Sequence, residues 1–138
     1  MMKVLDNQLF DEVLEQAKAS PRLRMNYDLR TQAEVPGWTD GSQRMLNVLE
    51  VGTVIPIHRH RETSETVIVV RGKVKEVLFD EQGREIDSCV LEYGGPCPGV
   101  QVPKGVYHTC VCLEPGSVIF EAKDRPYDPV GTEEMLGV

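Results

Sequence analysis

Apolar residues between positions 7 and 19 recur at helical spacing. Leu9/Phe10, Val13/Leu14 and Ala17 alternate with Asp11, Glu12, Glu15, Gln16 and Lys18. The pattern predicts one amphipathic helix, with Asp6 or Asn7 as N-cap and Ser20-Pro21 as its stop. Residues 21–41 lose this period and read as irregular, with turn signals at Pro36-Gly37 and Asp40-Gly41. Beyond Gly41 the apolar positions fall into short runs, which predict strands at 43–50, 53–60, 65–71, 73–79, 86–93, 100–102, 107–113 and 117–122. Turn-like segments such as Asp80-Glu81-Gln82-Gly83, Pro103-Lys104-Gly105 and Glu114-Pro115-Gly116 separate them. Strands at this spacing, with no helix between them, predict an antiparallel sandwich or barrel. The last stretch, 124–138, carries Pro126, Pro129 and Gly131 and reads as a surface tail.

The 138 residues suit one domain. It divides into a helical and irregular lead of 1–41, a barrel of 42–123 and the tail of 124–138. Fifteen Lys+Arg against 22 Asp+Glu leave a net charge of −7, which argues against nucleic acid and against charge-driven membrane binding. No apolar run approaches the ~20 residues that span a bilayer. Asp6 interrupts the start before a secretory core can form, so a cytoplasmic protein is expected. Cys89, Cys97, Cys110 and Cys112 contain no CxxC pair and are expected to be free thiols.

The three histidines, His58, His60 and His108, give the chain its chemistry. Alternate side chains of a strand share a face, so His58 and His60 point the same way. Arg61 to Ser64 can turn the chain so that Glu65 opens the next strand beside them. If Glu65 faces inward, so do Val67 and Val69. His108 would arrive from a distant strand, after the Pro103–Gly105 turn. Three imidazoles and one carboxylate converging inside a sheet suit a divalent first-row metal and leave two positions of an octahedral ion open.

The segment from Gly52 to Gly72 runs Gly, five residues, His58-x-His60, four residues, Glu65, six residues, Gly. It resembles the first motif of the cupins. Pro103-x-Gly105-x-x-His108 resembles the core of the second. The resemblance implies a cupin double-stranded β-helix, a jelly-roll barrel, here preceded by a short helix. The second motif departs twice from the family pattern: Cys112 replaces a frequent Asn, and Cys97 stands where Gly is expected. A narrower likeness, through residues 19–27, 43–47, 79–83 and 120–123 with Tyr127, is to the WbuC-type cupin-fold metalloproteins, associated with bacterial surface-polysaccharide gene clusters. That likeness implies metal binding without fixing a reaction.

Alternation along the His108 strand turns Cys110 and Cys112 inward, as small core residues or as groups behind the metal ligands. Arg22, Arg24 and Arg44 match the family-like segments and could hold a carboxylate or phosphate at the barrel mouth. Asn26, Tyr107, Glu121 and Lys123 are further candidates for substrate contact, whereas Arg59 faces away from the histidines and reads as part of the solvated surface. The strands at 53–57 and 66–70 are apolar on both faces, so the helix or a second subunit must cover one side. A homodimer is expected.

The expected cofactor is a divalent transition metal: Zn, Fe, Mn or Ni. The expected function is that of a metal-binding cupin acting on, or binding, a small polar or anionic sugar-related metabolite, with isomerase-type chemistry. Two alternatives use the same site: an Fe(II)-dependent dioxygenase and a non-enzymatic ligand-sensing module.

Overall fold

A computed structural model describes residues 2–30, 40–125 and 133–136. The Pro36-Gly37 turn and the tail positions Pro126, Tyr127, Pro129 and Gly131 lie outside the described residues. The chain opens with helix α1 (Asn7–Ala19). The Asp6 carboxylate caps it by accepting from the Leu9 N–H at 3.0 Å, satisfying a donor the helix cannot. Strands follow as β1 (Arg24–Asp28), β2 (Gln43–Leu49), β3 (His58–His60), β4 (Glu65–Arg71) and β5 (Lys73–Phe79). The remainder are β6 (Glu85–Glu92), β7 (Gly99–Val102), β8 (Tyr107–Cys112), β9 (Ser117–Lys123) and β10 (Glu133–Met135).

The strands form two antiparallel five-stranded sheets, in the orders β1-β2-β9-β4-β7 and β10-β3-β8-β5-β6. The architecture is the jelly roll that the motifs imply. Leu49, Val67, Val69 and Ile119 of the first sheet meet Val74, Leu91, Cys110 and Cys112 of the second in one core between the sheets. Each fully buried Val or Leu contributes about 1.5–3 kcal/mol. The outer face of the first sheet is covered by α1, whose Leu9, Phe10 and Val13 rest on Leu46, Val48 and Val118, with Val70 and Phe120 at the margin. The helix thereby reaches the second apolar face of β4 at Val70.

Gly72, between β4 and β5, has φ +83°, and a Cβ there would sit 2.3 Å from Ser117 Oγ. Both the left-handed backbone and the close strand approach call for glycine.

Three segments differ from the sequence reading. Within 21–41, Arg24–Asp28 forms a strand, because Met25 and Tyr27 pack beneath α1 while the whole segment pairs with β2. The 53–60 run is strand only at His58–His60; Pro56 interrupts it, and residues 53–57 form an irregular strap whose Ile55 and Pro56 line a cavity. Thr109 Oγ1 donates to Ile55 O at 2.6 Å and Arg24 Nη1 to Val54 O at 3.0 Å, which anchors that strap on both sides. The stretch read as a tail carries β10, paired along β3.

Candidate metal centre

Alternation divides the interior into an apolar end and a polar end. On β2, Leu46 and Val48 face the helix, so Gln43, Met45 and Asn47 face the barrel. On β9 the same logic turns Glu121 and Lys123 inward, and β1 adds Arg24 and Asn26. Leu49, Ile119 and Val67 close the apolar end behind them.

The histidines meet at the polar end. His58 pairs directly with His108 across β3 and β8, and His60 lies two residues along. One ligand nitrogen from each of His58, His60 and His108 falls in a cluster whose atoms lie within 4.8 Å of one another. Glu65 faces inward with Val67 and Val69, as the alternation requires. Its Oε2 is 2.9 Å from His60 Nε2 and 4.0 Å from His108 Nε2.

The surrounding hydrogen bonds orient the rings. His58 Nδ1 donates to Pro56 O at 2.7 Å, leaving Nε2 as the ligand atom. His108 Nδ1 lies 2.8 Å from Glu76 Oε1, which turns Nε2 toward the cluster; an ionised Glu76 would accept from Nδ1–H and free Nε2 as a ligand atom. His60 differs. Lys123 Nζ donates to His60 Nδ1 at 3.0 Å, which puts the ring proton on Nε2. That buried Nε2 has no well-aligned hydrogen bond, despite the nearby Glu65 carboxylate.

These groups fit a divalent metal. Three imidazoles, a buried carboxylate and a poorly satisfied buried ring nitrogen form a donor set that an ion would complete. His60 would first have to move its proton to Nδ1, which requires Lys123 to turn aside.

The acids of the interior divide. Burial raises Glu65, but the close His60 imidazole and the other two rings outweigh it and hold its carboxyl below the usual range. Burial and the Glu65 charge push Glu76 up to about 8. Burial, with the charges of Glu65 and Glu76, holds Glu121 well above the usual range. Positive charge at the histidines would favour the ionised form of Glu76.

A cavity of about 410 Å³ opens beside the cluster. Arg22, Arg24, Asn26, Glu121 and Lys123 line it together with His58, His60 and Glu65. Arg44 lies instead on a neighbouring groove, paired with Asp40. Tyr107 faces the opposite side of β8, under the Arg59 guanidinium, 4.4 Å from its centre. Arg59 does point away from the histidines, yet it is buried, because Glu81 and Glu134 pair with it. Cys110 contacts Glu76, whereas the Cys112 thiol bonds to Glu114 O at 2.9 Å and Leu49 O at 3.5 Å. Gln43 and Asn47 also belong to this wall, and their signal in the sequence is their alternation with Leu46 and Val48. Both have a buried amide oxygen without a donor among the described residues, and both line the cavity.

The structure is a jelly roll with a three-histidine cluster in its barrel that could hold a metal ion. The chain belongs to the family described as Domain of unknown function (DUF6016), whose model matches residues 5–91. No curated protein matches the sequence.

Solved structures share the fold. CapF of Staphylococcus aureus, a capsular polysaccharide assembling protein, is similar at 22% identity and a TM-score of 0.61, over 72% of this chain and 27% of its own. Oxalate decarboxylase of Bacillus subtilis is similar at 19% identity and a TM-score of 0.59, over 82% and 27%. KdgF of Halomonas sp. is similar at 17% identity and a TM-score of 0.55, over 76% and 81%. These are cupin-fold proteins. The chain spans about a quarter of the length of the first two. No helix among the described residues is long and apolar enough to cross a membrane.

Proposed function

We propose that the chain holds a divalent transition metal on His58, His60, His108 and Glu65 and uses it on a small, hydroxylated, anionic metabolite related to sugars. The observation that carries this reading is the cavity in which His58, His60 and Glu65 share one wall space with Arg22, Arg24 and Lys123. An anionic group would be held by these cations, with the arginines offering two-pronged contacts. Hydroxyl groups would donate to the orphaned oxygens of Gln43 and Asn47. Glu121, whose carboxyl is held well above the usual range by burial and the charges of Glu65 and Glu76, lines the same cavity and would give a proton to a ligand oxygen.

A bound metal supplies Lewis acidity toward a hydroxyl–carbonyl pair. An anion fixed beside such a metal suits isomerase-type chemistry. The likeness to WbuC-type proteins, and the fold shared with a capsular polysaccharide assembling protein, support a place in bacterial surface-polysaccharide metabolism. Ile86, Val90 and Val111, exposed on the outer face of the second sheet, support a homodimer joined there.

The test is a thermal-shift screen of zinc- or manganese-loaded protein against sugar acids and sugar phosphates. Ligands that stabilise are then incubated without oxygen in deuterium oxide and read by NMR. Deuterium entering carbon next to the carbonyl supports isomerisation. Recovery of unchanged ligand supports the binding-module reading, and a requirement for iron and dioxygen supports the oxygenase.

A further inference from the structure

Two thiols outside the histidine cluster stand against each other where the sheets meet. Cys89 lies on β6, the edge of one sheet, and Cys97 in the loop leading to β7, the edge of the other. Their sulfurs are 3.2 Å apart, eight residues apart in the chain. Both are free and partly buried, and both pack against the core between the sheets.

The surroundings hold them there. Cys89 faces inward opposite Glu76, at the centre of a regular strand pairing. The Cys97 carbonyl accepts from Glu92 N at 3.1 Å, and the next carbonyl, Pro98 O, accepts from Val69 N at 2.8 Å. The loop is therefore braced on both sides of Cys97. Such a pair has little conformational freedom left to lose on bonding, apart from the short approach to the ~2.0 Å of a disulfide.

We propose that Cys89 and Cys97 form a modification site that closes into a reversible disulfide on meeting a low-molecular-weight disulfide, clasping the two sheets at this edge. One protein thiolate attacks a sulfur of glutathione disulfide; that S–S bond breaks and a glutathione thiolate leaves. The second protein thiolate then attacks the protein sulfur of the mixed disulfide and releases the other glutathione. The protein sulfurs lose two electrons, glutathione disulfide gains them, and the two protein protons end on two glutathione thiols. Hydrogen bonding to Cys97, with burial, raises Cys89 above the ordinary thiol range, so closure quickens as pH rises. Cys110 and Cys112 act as internal controls, since burial keeps both as thiols.

The experiment incubates the purified full chain with excess glutathione disulfide, blocks remaining thiols under denaturing conditions and maps the peptides. Titratable thiols should fall from the four in the sequence to two, with the bond between Cys89 and Cys97. The melting temperature should rise by about 3–8 °C and return on adding dithiothreitol. Cys89→Ser and Cys97→Ser should each lack the internal bond. Four thiols surviving, a bond involving Cys110 or Cys112, or an unchanged melting temperature after full closure would each overturn the proposal. The wild-type peptide map decides the matter even if either variant folds poorly.

Discussion

Lys123 Nζ donates to His60 Nδ1 at 3.0 Å, across the mouth of the histidine cluster. An ammonium can only donate, so His60 accepts at Nδ1 and carries its proton on Nε2, the atom facing Glu65. A metal at Nε2 requires the opposite tautomer. The two states exclude each other, and Lys123 must swing toward the cavity when the metal enters. Lys123→Met should therefore bind zinc roughly 10-fold more tightly in competition against a chromophoric chelator, because a charge-assisted bond of about 1.5 kcal/mol no longer opposes it. Unchanged or weaker binding would contradict this reading.

Glu76 does the converse for His108. Its Oε1, 2.8 Å from Nδ1, holds the ring with Nε2 toward the cluster. Glu76→Gln should keep the fold, since a neutral amide of the same size replaces a buried acid. Metal affinity should fall about 10- to 100-fold. An affinity within twofold of wild type would show that the ring is positioned without this bond.

The interior acids set a pH dependence for the metal-free protein. Glu76, at about 8, and Glu121, well above the usual range, bind protons in the folded chain that the unfolded chain has released. Stability therefore falls as pH rises from about 4.5 toward 8. Glu65 is shifted the other way, and its contribution is fully present above its ordinary range, so it adds no slope there. The melting temperature should drop by about 5–10 °C between pH 5.5 and 8, and Glu121→Gln should remove a substantial part of that drop. A rise with pH would reverse the assignment.

Much of this arrangement was legible from residue spacing. The 3.6-residue period and the Asp6 cap fixed α1 at Asn7–Ala19, because local periodicity and capping agree there. The alternation of His58, His60, Glu65, Val67 and Val69 put all five on one side, with His60, Glu65, Val67 and Val69 buried and His58 half-buried beside them. β1 escaped notice because Arg24, Asn26 and Asp28 alternate with only Met25 and Tyr27, and its strand character comes from pairing with β2. Arg59 read as solvated because Glu81 and Glu134, which neutralise it, are distant in the chain. Tyr107 read as a ligand contact because it adjoins His108, yet neighbouring residues on a strand face opposite ways. The Lys123–His60 bond had no sequence signal, since β9 and β3 meet at this point only through the closed barrel.

The central claim is that the three histidines and Glu65 form one metal site. Its most direct test is elemental analysis of untagged protein, purified intact and compared with His58→Ala and His108→Ala. About one divalent metal per chain in the wild type, and a loss of most of it in both variants with the fold retained by circular dichroism, is the predicted result. Metal content that is unchanged in the variants, or a wild-type chain that takes up no divalent transition metal when offered, would contradict it.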